Sequence, residues 1–128
     1  MCGIIGYVGE KDALGVLVEG LKRLEYRGYD SAGVALMTNG KLAVHKSAGR
    51  ISALEQTLED EGVARLTAHA GIAHTRWATH GAPNDVNAHP HASADGTIAV
   101  VHNGIIENFR ALRTFLEQKG VVFTSDTD

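Results

Sequence analysis

The chain opens on Met1-Cys2-Gly3-Ile4-Ile5-Gly6-Tyr7-Val8, and this stretch constrains the fold more than any other. Ile4, Ile5, Tyr7 and Val8 form a short apolar run bounded by glycines, which predicts a buried strand starting at the N-terminus itself. Such a strand fixes Cys2 at its end, so the fold must be built around that position. Cys2 is the only cysteine in 128 residues, so no internal disulfide framework can staple the chain. If Met1 is removed, the thiol and a free α-amine share one residue. An α-amine titrates near ~8, against ~10.4 for a lysine, so it can take the proton a thiol must lose before it attacks.

The following residues supply a helix and then a hairpin. Asp12 precedes Leu14, Leu17, Leu21 and Leu24, whose three- and four-residue spacing predicts an amphipathic helix capped by the Asp. Glu25-Tyr26-Arg27-Gly28-Tyr29-Asp30-Ser31 breaks that period and reads as a loop of the kind that carries function. Apolar residues return from Ala32 to Thr38, and Asn39-Gly40 is a type I′ turn signal leading into Leu42-Ala43-Val44. Ser52-Ala-Leu-Glu55 has the pattern of a capping box opening a short, peripheral helix through about Leu58.

The second half alternates strands with long loops. Gly71 to Thr75 reads as a strand, followed by Arg76-Trp77-Ala78-Thr79-His80-Gly81 and a Pro-, Asn- and His-rich loop to about Ser93, long enough to suggest function. Ile98 to Val101 reads as a strand ending at His102-Asn103-Gly104. Asn108 caps a third helix with Leu112, Phe115 and Leu116 on one face, closed by Gly120. Val121-Val122-Phe123 reads as a last short strand. Strands with segregated helices give an α+β class, sheets covered by helices. The chain stops among polar residues that resemble an interior loop, which suggests a part of a larger domain.

Charge and hydropathy narrow the partners. The net charge is −3 and no long basic run occurs, so there is no electrostatic reason to expect nucleic acid. The apolar stretches are too short to span a bilayer, and no signal peptide of the usual form opens the chain, so a cytoplasmic location and no membrane are the default. The seven histidines match neither HExxH nor a Cys/His zinc spacing, so no metal and no cofactor are expected.

An amide-cleaving thiol needs donors for an oxyanion, groups that grip the ends of the substrate, and a cover against water. Asn103-Gly104 offers an amide side chain and a backbone N–H in adjacent positions. Arg76 offers a planar fork for a carboxylate, Asp128 an acceptor for an ammonium, and Trp77 a cover. Taken singly, Asn-Gly also reads as a turn, Arg76 and Asp128 as surface charges, and Trp77 as a core residue.

Taken together, Cys2-Gly3-Ile4-Ile5-Gly6, Arg27-Gly28-Tyr29-Asp30-Ser31-Ala32-Gly33, His74-Thr75-Arg76-Trp77-Ala78-Thr79-His80-Gly81, Asn87-Ala88-His89-Pro90-His91 and His102-Asn103-Gly104-Ile105-Ile106-Glu107-Asn108 resemble the class II, N-terminal-nucleophile glutamine amidotransferases. The resemblance covers residues 1–128, which it identifies as the N-terminal part of a glutaminase domain. Leu24 to Asp30 and Arg76 to His80 look like the glucosamine-6-phosphate synthase branch; the amidophosphoribosyltransferase and asparagine synthetase branches are the alternatives, and a non-catalytic fragment is a further one.

The resemblance implies an αββα sandwich of N-terminal-nucleophile hydrolase type, truncated here, with the sugar-isomerase domains that bind fructose 6-phosphate absent. It implies Cys2 as nucleophile, Asn103 and Gly104 as oxyanion hole, and Arg76 on the α-carboxylate of L-glutamine. Thr79 and His80 would line the same site, Asp128 would take the α-ammonium, Trp77 would shield the site, and Arg27 would lie near the nucleophile. A homo-oligomer is compatible with the resemblance.

Overall fold

A computed structural model describes residues 1–128. Four strands form one antiparallel sheet: β1 (Gly3–Val8), β2 (Ser31–Thr38), β3 (Lys41–Ala48) and β4 (Ala70–Arg76), in the order β1-β4-β2-β3. The hairpin between β2 and β3 turns on Asn39 and Gly40, both at positive φ (51° and 75°), as a type I′ turn requires. β1 lies on the edge and pairs with β4 alone, Gly3 opposite Thr75. The N-terminal strand therefore begins beside the C-terminal end of β4, where Cys2 and the Arg76-Trp77 segment meet.

Alternation along the strands sends one set of side chains to each face. Ala32, Val34 and Leu36 of β2 and Ala73 of β4 point toward two helices, α1 (Ala13–Leu24) and α2 (Ile51–Asp60). Leu17, Leu21, Ile51 and Leu54 are buried there completely or nearly so, each contributing about 1.5–3 kcal/mol by leaving water. α2 is thus a core element and not a peripheral one. Its N-terminus is also held differently from the capping-box reading: Ser52 lies inside the helix and no side chain of the cap residue bonds back. Instead the Tyr29 hydroxyl accepts the Ile51 N–H at 2.9 Å and donates to Glu25 Oε1 at 2.5 Å. Asp12 precedes α1 as read, without making a side-chain cap.

The opposite face carries Ile4, Gly6 and Val8 of β1, Ile72, His74 and Arg76 of β4, and Gly33, Ala35 and Met37 of β2. Its two ends differ. The end with Gly33, His74 and Arg76 is covered by the chain from His80 to His91, whereas Val8, Ala35, Met37, Leu42 and Ile72 line an open apolar cavity of about 470 Å³.

Beyond β4 the regular structure thins. β5 (His91–Ala92) and β6 (Ala99–Val100) form a two-residue ladder, shorter than the strand read at Ile98 to Val101. α3 (Phe109–Gln118) follows Asn108, whose side chain makes no cap; none of its residues is buried, and Leu112 and Phe115 stay 43% and 54% exposed. Val121 to Phe123 is not a strand: its backbone has no ladder partner among these elements. The architecture is α+β, with one helix-covered sheet and a short second ladder.

Candidate active site

A cavity of about 480 Å³ opens at the C-terminal end of β4, and its walls include Cys2, Arg27, Arg76, Trp77, Thr79, His80, Asn103, Gly104 and Asp128. All nine residues singled out by sequence therefore meet in one place. They come from the start of β1, the turn before β2, the end of β4, the loop after β6 and the last residue of the chain, so no single motif could have assembled them.

Cys2 is placed by its neighbours on β4. The Gly3 N–H donates to Thr75 Oγ1 at 3.0 Å, which fixes the strand end. The Trp77 N–H then points at the Cys2 sulfur at 3.2 Å, which ties the side chain to the segment that leaves β4. A Cβ at Gly3 would lie 2.5 Å from Leu24 Cδ1 and 2.9 Å from Thr75 Oγ1, so a larger residue there would displace the Leu24 side chain and crowd the hydroxyl that holds the strand end. Met1 is in place, its ammonium donating to the carbonyls of Arg27 and Gly28 at 3.0 and 3.1 Å.

The Asp30 carboxylate shapes the turn that carries Trp77. It accepts the Ala78 N–H and the Ser31 hydroxyl, while the Asp30 N–H donates to the Arg76 carbonyl at 2.7 Å. Gly28 has φ +76, and a Cβ there would come within 3.2 Å of the Trp77 ring. The indole, 54% exposed, lies over that glycine at the cavity mouth.

Asn103 reaches back to Cys2 from the loop after β6. Its Nδ2 donates to the Cys2 carbonyl at 3.3 Å, and its Oδ1 lies 2.7 Å from His74 Nε2. The amide therefore lies across the start of β1, with Gly104 next to it at φ +142. The pair starts three residues beyond the end of β6, in a loop and not at a strand end.

Arg76 is only 4% exposed. Its guanidinium donates to the carbonyls of Ala82 (3.1 Å), His80 and Gly81. No carboxylate pairs with it: the ion pairs are Lys22–Glu55, Arg23–Glu19, His45–Glu61 and Arg113–Glu117. Carbonyl dipoles offset part of the cost of burying a cation, and an anion in the cavity would balance the rest. The His80 ring is packed edge-on against Phe109 at 5.0 Å between centroids. Asp128 accepts the Ile106 N–H at 2.5 Å, and the segment that carries it is tied down by buried Asn87, whose Oδ1 accepts the Asp126 N–H at 2.9 Å.

Sequence reading missed the histidine wall. His74 and His89 also line the cavity; their rings stack 4.4 Å apart at 26°, and His91 packs edge-on against His89 at 4.5 Å. Burial pushes all three below the usual imidazole range, His89 to about 3 and His91 to about 4, with neighbouring imidazoles and the cations Arg76 and Lys46 adding to the effect. The signal available was the i, i+2 spacing of His74 and Arg76 on one strand, which puts both on the cavity face.

Comparison with known proteins adds to this geometry. The family model for glutamine amidotransferase domains matches residues 46–128. Over all 128 residues the chain is 59% identical to the isomerizing glutamine–fructose-6-phosphate aminotransferase of Clostridium acetobutylicum, of which it covers 21%. It is 59% identical to the protein of the same name from Pyrococcus horikoshii, again covering 21%, and 56% identical to that of Mycobacterium tuberculosis, covering 20%. The chain thus spans about a fifth of the length of the curated relatives it matches. Among solved structures, glutamine phosphoribosylpyrophosphate amidotransferase from B. subtilis, complexed with ADP and GMP, superposes with a TM-score of 0.78 at 27% identity. That match covers all of this chain and 27% of the other.

Proposed function

Because the chain belongs to the glutamine amidotransferase family, we propose that it carries the glutamine-hydrolysing site of an isomerizing glutamine–fructose-6-phosphate aminotransferase. The observation that carries this reading is the meeting of a lone thiol, an amide donor and an unpaired buried guanidinium in one cavity. Identity of 56–59% to that class of relatives, against 27% to the phosphoribosylpyrophosphate enzyme, favours it over the sister branches.

On this reading Met1 is removed and the freed amine of Cys2 takes the thiol proton. The sulfur attacks the side-chain amide carbon of L-glutamine, forming a C–S bond while the carbonyl π electrons move to oxygen. Asn103 Nδ2 and the Gly104 N–H donate to that oxyanion; one such donor is worth about 2.7–4 kcal/mol of activation free energy. The intermediate collapses with loss of ammonia, which receives the stored proton, and leaves a γ-glutamyl thioester that water hydrolyses to glutamate. Arg76 pairs with the α-carboxylate, and Asp128 with the α-ammonium. Thr79 and His80 wall the same end, Trp77 covers the mouth, and Arg27 flanks the nucleophile. Thiol, amine and amide donors complete this reaction without a metal or an organic cofactor. In the full-length enzyme, working in the cytoplasm, the ammonia would convert fructose 6-phosphate to glucosamine 6-phosphate.

The test is glutamate release from L-glutamine by the full-length protein, with the N-terminal mass measured alongside. Wild type should lack Met1 and release glutamate, and Cys2→Ala should reduce release to background. Undiminished hydrolysis by Cys2→Ala, or by a chain that retains Met1, would overturn the mechanism.

A further inference from the structure

We propose that His74 is a positioning residue that holds the Asn103 amide with its Nδ2 turned toward Cys2, by donating from Nε2 to Asn103 Oδ1. The inference rests on the oxyanion role proposed for Asn103 and adds the group that sets the orientation of its side chain. An asparagine amide can occupy its site in two ways, exchanging oxygen for nitrogen. Here one way leaves Nδ2 donating to the Cys2 carbonyl at 3.3 Å and Oδ1 facing His74 Nε2 at 2.7 Å. The other would set the amide oxygen against the Cys2 carbonyl oxygen and aim the N–H groups away from the nucleophile. Only the first presents a donor beside the thiol.

The Cys2 carbonyl favours the first orientation from one side, and His74, at the shorter contact, favours it from the other. Its ring is completely buried, and its Nδ1 has no hydrogen-bond partner. Were the proton on Nδ1, a buried N–H would go unsatisfied, and the Nε2 lone pair would face the Oδ1 lone pairs. With the proton on Nε2, the contact to Oδ1 becomes a hydrogen bond and only a lone pair is left without a partner. The neutral Nε2–H tautomer is therefore selected, and it accepts the amide in one orientation.

Surrounding contacts keep the donor aimed. His74 lies on β4 with its backbone paired opposite Gly33, so its Cα cannot drift. His89 stacks on the ring at 4.4 Å, and His89 Nδ1 accepts the backbone N–H of His102 at 3.4 Å. Two imidazoles thus clamp neighbouring residues of one loop: His74 holds the Asn103 side chain and His89 the backbone just before it. The outer member, His91, is anchored by its contact with Thr127 Oγ1 at 3.1 Å. Burial and the neighbouring positive charges keep His89 neutral, which preserves Nδ1 as an acceptor.

Four variants of the full-length enzyme test this: Asn103→Ala, His74→Phe, His74→Gln and the double variant His74→Phe/Asn103→Ala. Phenylalanine keeps the stack on His89 but cannot donate, whereas the glutamine amide can donate to Oδ1. Asn103→Ala should lower kcat for glutamine hydrolysis by about 10²–10³-fold. His74→Phe should lower kcat by about 10–100-fold, as loss of orientation does, with KM within about twofold. His74→Gln should recover most of that loss. The double variant should be no slower than Asn103→Ala, because His74 acts only through the amide.

Alkylation of Cys2 by iodoacetamide, which needs no oxyanion donor, should proceed at wild-type rate in all four. If His74→Phe lost that reactivity through unfolding, the inference would stand or fall on His74→Gln, with near-wild-type kcat supporting it and a loss as deep as that of Asn103→Ala overturning it. An unchanged kcat in His74→Phe, a loss that adds to that of Asn103→Ala, or a glutamine variant no better than phenylalanine would also overturn it. If Asn103→Ala itself lost nothing, the oxyanion reading would fail and this inference with it; a loss in Asn103→Ala without one in His74→Phe sinks this inference alone.

Discussion

Gly33→Ala tests how tightly the sheet is joined to the catalytic loop. Gly33 sits mid-β2, opposite His74 on one side and Lys46 on the other. A Cβ added there would lie 2.1 Å from the His89 carbonyl oxygen and 3.1 Å from the His45 carbonyl oxygen. Ordinary contact begins at 3.4 Å, so the His89 backbone must retreat by more than an ångström. Overpacking of this kind costs about 1–3 kcal/mol, offset by about 0.4–1 kcal/mol from the lower entropy of the unfolded alanine chain. The difference spans about 0–2.6 kcal/mol, and because the atom met at 2.1 Å is backbone and not a flexible side-chain end, a loss in the upper half of that range is expected, seen as a lower urea midpoint at unchanged slope. The retreat also lifts His89 from His74 and from the His102 N–H, and a misplacement of about 1 Å lowers turnover by about 10²-fold. Urea unfolding and glutaminase kcat on the same preparation read both effects. An unchanged midpoint refutes the clash. A lowered midpoint with full kcat refutes the coupling of this loop to the site.

Two further outcomes follow from the same contacts. His89 and His91 ionise near about 3 and about 4 in the native state but near 6.5 when unfolded, so the unfolded chain binds more protons between pH 6.5 and 4 and stability falls as pH drops through that window. Unfolding at pH 5 should take up about two protons from this pair, measurable from the pH dependence of the urea midpoint; a midpoint flat from pH 6.5 to 5 would contradict a neutral stack. Tyr29→Phe removes both the acceptor for the Ile51 N–H and the donor to Glu25. It should cost about 1 kcal/mol in urea unfolding, and a wild-type midpoint would show that α2 does not depend on this hydroxyl.

The elements legible in the sequence are those whose signal is local and repeated. α1 shows in its leucine spacing, the β2–β3 hairpin in Asn39-Gly40, and β1 and β4 in apolar runs bounded by glycine. Where the deciding contact was distant, local reading failed. Ser52-Ala-Leu-Glu55 matches a capping box, yet α2 begins at Ile51 because Tyr29, twenty-two positions earlier, accepts that N–H. The same helix was read as peripheral because its short apolar stripe cannot show that Ile51, Leu54 and Leu58 all meet α1 and the sheet. Val121 to Phe123 has strand composition, but a strand needs a neighbour to bond, and composition does not supply one.

The residues that meet in the cavity were legible in the sequence, but the contacts that hold them there were not. Cys2, Arg76, Asn103 and Asp128 stand out because their chemistry is unusual for their positions, and the cavity contains all four. The residues that hold them are ordinary by type: Thr75 under Gly3, Asp30 under Ala78, Asn87 under Asp126, His74 under Asn103. Each pairs with a polar group on a distant segment, and such pairing joins positions far apart in the chain. Arg76 is the exception that points outward. Its carbonyl partners satisfy its N–H groups but not its charge, so the remaining electrostatic demand of the site falls on whatever anion enters the cavity. A carboxylate-bearing ligand is the chemistry that would meet that demand, and Asp128, which lines the same cavity, is the acid that the proposed reading pairs with its ammonium.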